Sequence, residues 1–192
     1  MSPQSLIAHS TVAAVVSDPR LPDNPNVACN DAFVRLTGYP LAEILGRNCR
    51  FLRGPETAPE RTGLLRQAIK AARPALVELI NYRKDGTTFN NAVMIAPLFD
   101  ERGELIYYIG SQVEVTGPAP GRQETARQMV DRLTRRQRQI LTALAKGMLN
   151  KQIAHELCLS ERTIKMHRAA MLRALELNSS AEAIRLAIEA GL

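Results

Sequence analysis

The chain has no Trp and only 4% aromatic residues, yet 45% of it is hydrophobic, an ordinary fraction for a globular protein. The shortage therefore excludes neither order nor a core. Cysteine is scarce too: Cys29, Cys49 and Cys158 are odd in number and widely spaced, with no CxxC pair and no His cluster. That excludes a disulfide framework and a zinc site, so no metal is expected, and it points to a reducing compartment. No apolar run approaches the roughly 18 residues needed to cross a bilayer, and the N-terminus lacks a basic region followed by a hydrophobic core. A soluble, cytoplasmic protein with no membrane partner is expected. A dinucleotide-binding fingerprint is also missing, which counts against a redox enzyme.

At 192 residues the chain has room for one domain or two small ones. Charge distinguishes the halves. Residues 1–121 carry 12 Lys+Arg against 12 Asp+Glu, and residues 122–192 carry 13 against 7, so the second segment holds the entire net charge of +6. A concentrated basic segment is expected of a protein with a nucleic-acid or anionic-membrane partner.

In the first segment, residues 12–17 read as a buried strand, Asp18 to Pro25 as an exposed turn, and Val27 to Cys29 as a second short strand. Asn30 or Asp31 caps a helix bearing Ala32, Phe33 and Leu36 and ended by Gly38, and Leu41 to Leu45 adds another helical turn. Glu60 to Ala72 has Leu64, Leu65, Ala68 and Ile69 at helical spacing. Strands are expected at Ala75 to Arg83, Thr88 to Phe99 and Glu104 to Val115, joined by turns at Lys84-Asp85-Gly86 and Asp100 to Gly103. This is an antiparallel α+β pattern.

The stretch Gly46-Arg47-Asn48-Cys49-Arg50-Phe51-Leu52-Arg53 sets a thiol between an amide and a guanidinium, a combination suited to an aromatic, phosphorylated cofactor. It closely resembles the signature of LOV domains, the flavin-binding blue-light sensors of the PAS superfamily, with Arg53 where many members carry Gln. The resemblance covers roughly residues 12–115. It implies a PAS fold and a Cys49 that attacks the photoexcited flavin. It also implies FMN, with FAD not excluded, held by the amides of Asn48, Asn81, Asn91 and Gln112 and by Arg50 and Arg66 on the phosphate. Only amides both donate and accept, as the flavin's pyrimidine edge requires. Asn81 and Asn91 are expected at matching depth on either side of a three-residue loop.

Thr116 to Gly121 reads as a linker and Arg122 to Arg132 as a polar connector helix. From Leu133 the pattern is wholly helical, with a helix closed by Gly147, another from Asn150 to Leu157, one capped by Ser160 and running to about Leu175, and a last from Ser180 to Ala190. Two helices about a tight turn, the second rich in Arg and Lys, form a helix-turn-helix unit. Residues 133–192 resemble LuxR-type DNA-binding domains through Leu133-Thr134, Gly147, Asn150-Lys151, Ile153-Ala154 and Thr163-Ile164-Lys165-Met166-His167. Gln137 stands where Glu is usual, and Ala174 where Lys is frequent. The resemblance implies an all-α four-helix domain whose Lys165 and Met166 reach base edges of double-stranded DNA, with Lys151, Thr163 and Arg168 on phosphates.

Together these resemblances imply a non-enzymatic, blue-light-regulated transcription factor with a sensor at 1–116, a linker and connector at 117–132 and an effector at 133–192. Light forms a Cys49-flavin C4a adduct that releases the effector from the sensor sheet, a dark monomer becoming a lit, DNA-bound homodimer. The last helix is apolar all round, so it needs two partners: Ile184 and Leu186 lie on nearly opposite sides, one for its own domain and one for the sensor sheet. The alternative is a PAS-type redox or small-ligand sensor controlling the same DNA-binding domain.

Overall fold

Five strands form one antiparallel sheet in the order β2-β1-β5-β4-β3, with β1 at Ala13–Ser17, β2 at Asn26–Cys29, β3 at Ala75–Tyr82, β4 at Thr88–Phe99 and β5 at Leu105–Glu114. The computed structural model describes residues 2–116 and 119–192, with the side chains of 119–122 excepted. Between β2 and β3 lie helices α1 (Asp31–Thr37), α2 (Leu41–Ile44) and α3 (Pro59–Lys70) and a single 3-10 turn at Cys49–Leu52. Asn30 explains how β1 and α1 stay together. Its Oδ1 accepts from Phe33 N and Ala14 N, both at 3.0 Å, while its Nδ2 donates to Val12 O at 2.8 Å and Ser10 O at 3.1 Å. One amide caps the helix and joins it to the strand. Gly38 closes α1 at φ 73°, where a side chain would be strained.

Strand alternation gives the sheet two working faces. On β4 and β5, Val93, Ile95 and Gln112 look toward the small helices and a cavity. Met94, Ala96 and Ile109 look the other way, where with Ala14 and Val16 of β1 they join one apolar cluster that runs on into the C-terminal helices.

Those helices are α4 (Ala119–Asp131), α5 (Arg135–Ala145), α6 (Asn150–Glu156), α7 (Glu161–Ala174) and α8 (Ser180–Ala190). Gly117 and Pro118 of the expected linker lie outside the described residues. The connector helix starts at Ala119, earlier than Arg122, since Pro120 and Gly121 fall in a first turn that needs no internal N–H donor. It packs on α8 and buries Ala126 and Val130. Thr134 and Gln137 close a complete capping box at the start of α5, with Thr134 N donating to Gln137 Oε1 at 2.9 Å, so Gln at this position keeps the structural contact.

Helix α8 lies between the sheet and helices α4 and α5. Ile184 and Leu186 are both buried in the shared cluster, and charged residues of α8 add hydrogen bonds to the sheet and to the segment ahead of it. The Arg185 guanidinium donates to Ala92 O at 2.9 Å and Ser111 Oγ at 3.3 Å, and it pairs with Glu189 at 2.8 Å. Glu182 accepts from Thr11 N at 2.7 Å, Thr11 Oγ1 and Ser10 Oγ ahead of β1. The contact between α8 and the sheet thus combines the apolar cluster with a buried polar component.

Candidate functional site

A cavity of about 460 Å³ lies between the pocket face of the sheet and the segments around α3 and the Cys49 turn. That is ample for a cofactor-sized ligand. The Cys49 turn is fixed by its own hydrophobic residues: Leu52 is buried, and the Phe51 ring meets Tyr39 edge-on at 4.7 Å with the Arg47 guanidinium 4.7 Å above it. Cys49 is half-buried and lines the cavity. Burial pushes its thiol up to about 11; Asn26 and Gln112, as hydrogen-bond partners, pull the other way without overcoming it.

Asn48, Arg50, Arg66, Asn81 and Gln112 line the same cavity. Asn91 stands behind them, donating to Asn81 Oδ1 at 2.8 Å and Gln112 Oε1 at 2.9 Å. The expected matching depth of Asn81 and Asn91 is corrected. Arg83 N donates to Thr87 O around the three-residue loop, so Asn81 sits opposite Phe89 and Asn91 opposite Leu79. They are diagonal neighbours on one face, still within reach of each other. Asn48 caps the turn through its Oδ1 and donates to Asp23 O at 2.7 Å, and Arg50 pairs with Asp23 at 2.6 Å.

Two residues missed in the sequence belong to this site. Arg53 lines the cavity alongside Arg50 and Arg66; burial, followed by repulsion from those two arginines, holds its guanidinium below the usual range. A cluster of three cations fits a phosphate group. Asn26 is the other, for Cys49 Sγ donates to its Oδ1 at 3.3 Å. Arg53 was visible as a departure from the LOV pattern, whereas nothing in the sequence marked Asn26.

Whether a flavin suits the donor set can be judged from the polar atoms left over. Asn91 Oδ1, Asn24 Oδ1 and Asn26 Nδ2 are buried without a protein partner, in a protein interior where such groups are rare. With amides on one wall, arginines at hand and apolar Leu79, Val93 and Ile95 between, the cavity fits a flat ring with a polar edge and an anionic tail.

In the C-terminal region, Lys165 and Met166 are exposed on α7, Met166 to 61%. An apolar side chain that open on a basic helix is available for contact. Thr163 is half-buried at the helix start, its hydroxyl 2.8 Å from that of the Ser160 cap. Arg168 departs from the expected phosphate contact. Its guanidinium binds Asn150 Oδ1 and Ser180 Oγ, tying α7 to α6 and α8, and burial lowers its pKa. Lys151 is exposed but paired with Glu101 of the β4–β5 turn at 2.5 Å, and neighbouring Gln152 donates to Asp100 O at 2.6 Å. The end of β4 closes on Gly147, where a Cβ would come within 2.2 Å of Pro97 O. Among the described residues no His/Cys/Asp/Glu group is placed to hold a metal, and no helix is long and apolar enough to cross a membrane.

Residues 13–117, more than half of the chain, match the PAS domain family, and residues 131–187 match the bacterial regulatory proteins of the luxR family. Blue-light-activated histidine kinase 1 of Erythrobacter litoralis (strain HTCC2594) is 46% identical over 135 residues, covering 69% of this chain and 38% of that protein. The chain thus spans well under two thirds of that relative's length. A light-oxygen-voltage domain from a flavin-analogue study is 47% identical with a TM-score of 0.54, covering 55% of this chain and 78% of the other. The dark structure of the blue-light photoreceptor Aureochrome1 LOV is 44% identical with a TM-score of 0.56, covering 60% and 84%. The pocket on one sheet face, helix α8 on the other and these matches place the chain in the PAS family, as a LOV-type sensor joined to a LuxR-type helix-turn-helix domain.

Proposed function

We propose that this protein is a blue-light-regulated DNA-binding transcription factor whose sensor holds FMN and whose effector is held on the sensor sheet in the dark. The observation that carries the reading is α8 buried on the sheet face opposite the cavity, joined to it through Arg185, Ala92 and Ser111. The sensor spans 1–116 and the effector 133–192, with 117–132 between them.

When bound, the flavin supplies blue-light absorption and, once excited, a ring carbon open to attack by a thiol. Asn48, Asn81, Asn91 and Gln112 would meet its polar edge, while Arg50 and Arg66, with Arg53 beside them, would hold the phosphate. Cys49 Sγ would bond to the ring in the light. Gln112 faces the cavity from β5, and Ser111, the next residue on that strand, touches Arg185 from the opposite face. A change in the hydrogen bonds of Gln112 therefore has one residue to travel to reach α8. Undocking frees α8 for a second subunit and Lys151 from Glu101. Lys165 and Met166 then meet base edges, with Lys151 and Thr163 on the backbone. The output is a shift of population rather than chemistry on DNA, so the chain acts without being an enzyme. A redox-sensing reading of Cys49 is less well supported, because burial raises the thiol's pKa and so works against the thiolate that oxidation needs, and among the described residues no second Cys lines the cavity.

The test is absorbance and DNA binding of the purified protein before and after blue light. Bleaching that recovers in darkness, with tighter DNA binding and a dimer in the lit state, is expected. Equal DNA binding in both states refutes the reading.

A further inference from the structure

Asn26 opens β2 and is 1% exposed. Both of its backbone groups are committed to the chain just before Cys49: Asn26 N donates to Arg47 O, and Asn26 O accepts from Gly46 N, each at 2.9 Å. The side chain is thereby fixed against the sulfur, and Cys49 Sγ donates to its Oδ1 at 3.3 Å. Nδ2 of the same amide is buried and unpartnered. For packing alone, an apolar residue would serve this position better than an amide with an unused donor. The polar group is accounted for by the atom it faces.

We propose that Asn26 is a positioning residue for Cys49, its carbonyl holding the thiol hydrogen and its N–H supporting the sulfur when that hydrogen has left, so that Asn26 governs how fast the lit state reverts. The proposal rests on the reading of Cys49 as the light-reactive thiol. In the forward step the S–H bond breaks, a bond from sulfur to a flavin ring carbon forms, and the proton passes to a ring nitrogen. Reversion breaks the S–C bond and returns the proton to sulfur, so no outside oxidant or reductant is needed. While the S–C bond lengthens, negative charge gathers on sulfur ahead of its proton. Turning the amide about its Cβ–Cγ bond brings Nδ2 to the sulfur in place of Oδ1, and a donor held there lowers the barrier, as donors do wherever negative charge develops. The amide stays beside the sulfur because the Gly46 and Arg47 contacts hold its strand end in place.

The test compares wild type with Asn26→Leu and Asn26→Asp. The infrared S–H stretch of the dark protein, with and without flavin, reads the thiol hydrogen bond before any photochemistry. It should move to higher frequency in Asn26→Leu and return to the wild-type position or below in Asn26→Asp, where an acceptor is restored. Recovery of the yellow absorbance after a blue flash should slow about tenfold in Asn26→Leu, the rate equivalent of one hydrogen bond, and stay slow in Asn26→Asp, which restores an acceptor for the thiol but no donor for the sulfur. Asn26→Ala carries the same two readouts should Leu prove too large to fold. An S–H band unmoved by removal of the amide, or a moved band with wild-type recovery, overturns the proposal. A wild-type protein whose spectrum ignores light instead refutes the role of Cys49 itself, and that result is seen before any variant is made.

Discussion

Replacing Arg185 with Met should open the protein in the dark. Arg185 is 6% exposed, and its Nη1 donates to both Ala92 O and Ser111 Oγ across the boundary between effector and sensor. Hydrogen bonds from a charged donor contribute roughly 1.5 to 3 kcal/mol each, and breaking a buried charged contact from one side costs about 3 to 5 kcal/mol, because the partners are left behind without water. Glu189 would be among them, deprived of its pair at 2.8 Å. Taking about 3 kcal/mol for the loss specific to the docked state, the open population should rise by about two orders of magnitude. Since α8 is also the expected dimer helix, a change on the sensor side separates docking from dimerisation. Ser111→Ala removes the longer of the two bonds, for about 1 kcal/mol and roughly a fivefold shift in the same direction. In the double variant the two effects should fall short of additivity by about the Ser111 share, because they report one contact. DNA titration and sedimentation in darkness make the assay. An Arg185→Met protein that stays monomeric with wild-type dark affinity for DNA would show that this contact does not hold the effector down.

Three other consequences follow from particular side chains. Glu101→Lys replaces the partner of Lys151 by a repelling charge, so dark DNA binding should strengthen at low salt and the gain should fade as salt screens the surface; no change at low salt would dismiss the β4–β5 turn as a competitor for that lysine. Because burial raises the Cys49 thiol to about 11, alkylation of Cys49 in flavin-free protein lacking the other two cysteines should be slow at pH 8 and climb about tenfold per pH unit toward 11. A rate already saturated at pH 9 would contradict that environment. Lys165→Ala should weaken lit-state binding to a specific site by about 1 to 3 kcal/mol while leaving the photocycle alone, read by DNA titration alongside absorbance; unchanged affinity would remove α7 from the major groove.

Much of the fold could be read because local signals agreed with it. Asn30 and Gly38 bound α1, and the alternation along β4 separates pocket-facing Val93 and Ile95 from effector-facing Met94 and Ala96. The cavity residues were legible because the LOV motif fixes where the Cys49 turn falls, and strand parity then puts Asn81, Asn91 and Gln112 on one face. The depth of Asn81 relative to Asn91 was not, since parity survives a shift of two residues that only the ladder reveals. Glu182 and Arg185 look like the solvated side of a helix, and their burial comes from a sheet that no local pattern connects to them. Arg168 looks like its neighbours on α7, yet Asn150 and Ser180 draw it inward. Asn26 escaped because its role depends on Cys49, more than twenty positions away in the chain.

Hydrogen exchange along Ser180–Ala190, followed in darkness and under blue light in wild type and in Cys49→Ala, bears most directly on the central claim that light at Cys49 releases α8 from the sheet. Burial on the sheet should protect this helix in the dark, and light should remove part of that protection in wild type while leaving Cys49→Ala, still yellow with bound flavin, unchanged. Protection that is the same in dark and light in wild type, or that falls equally in Cys49→Ala, would contradict the account.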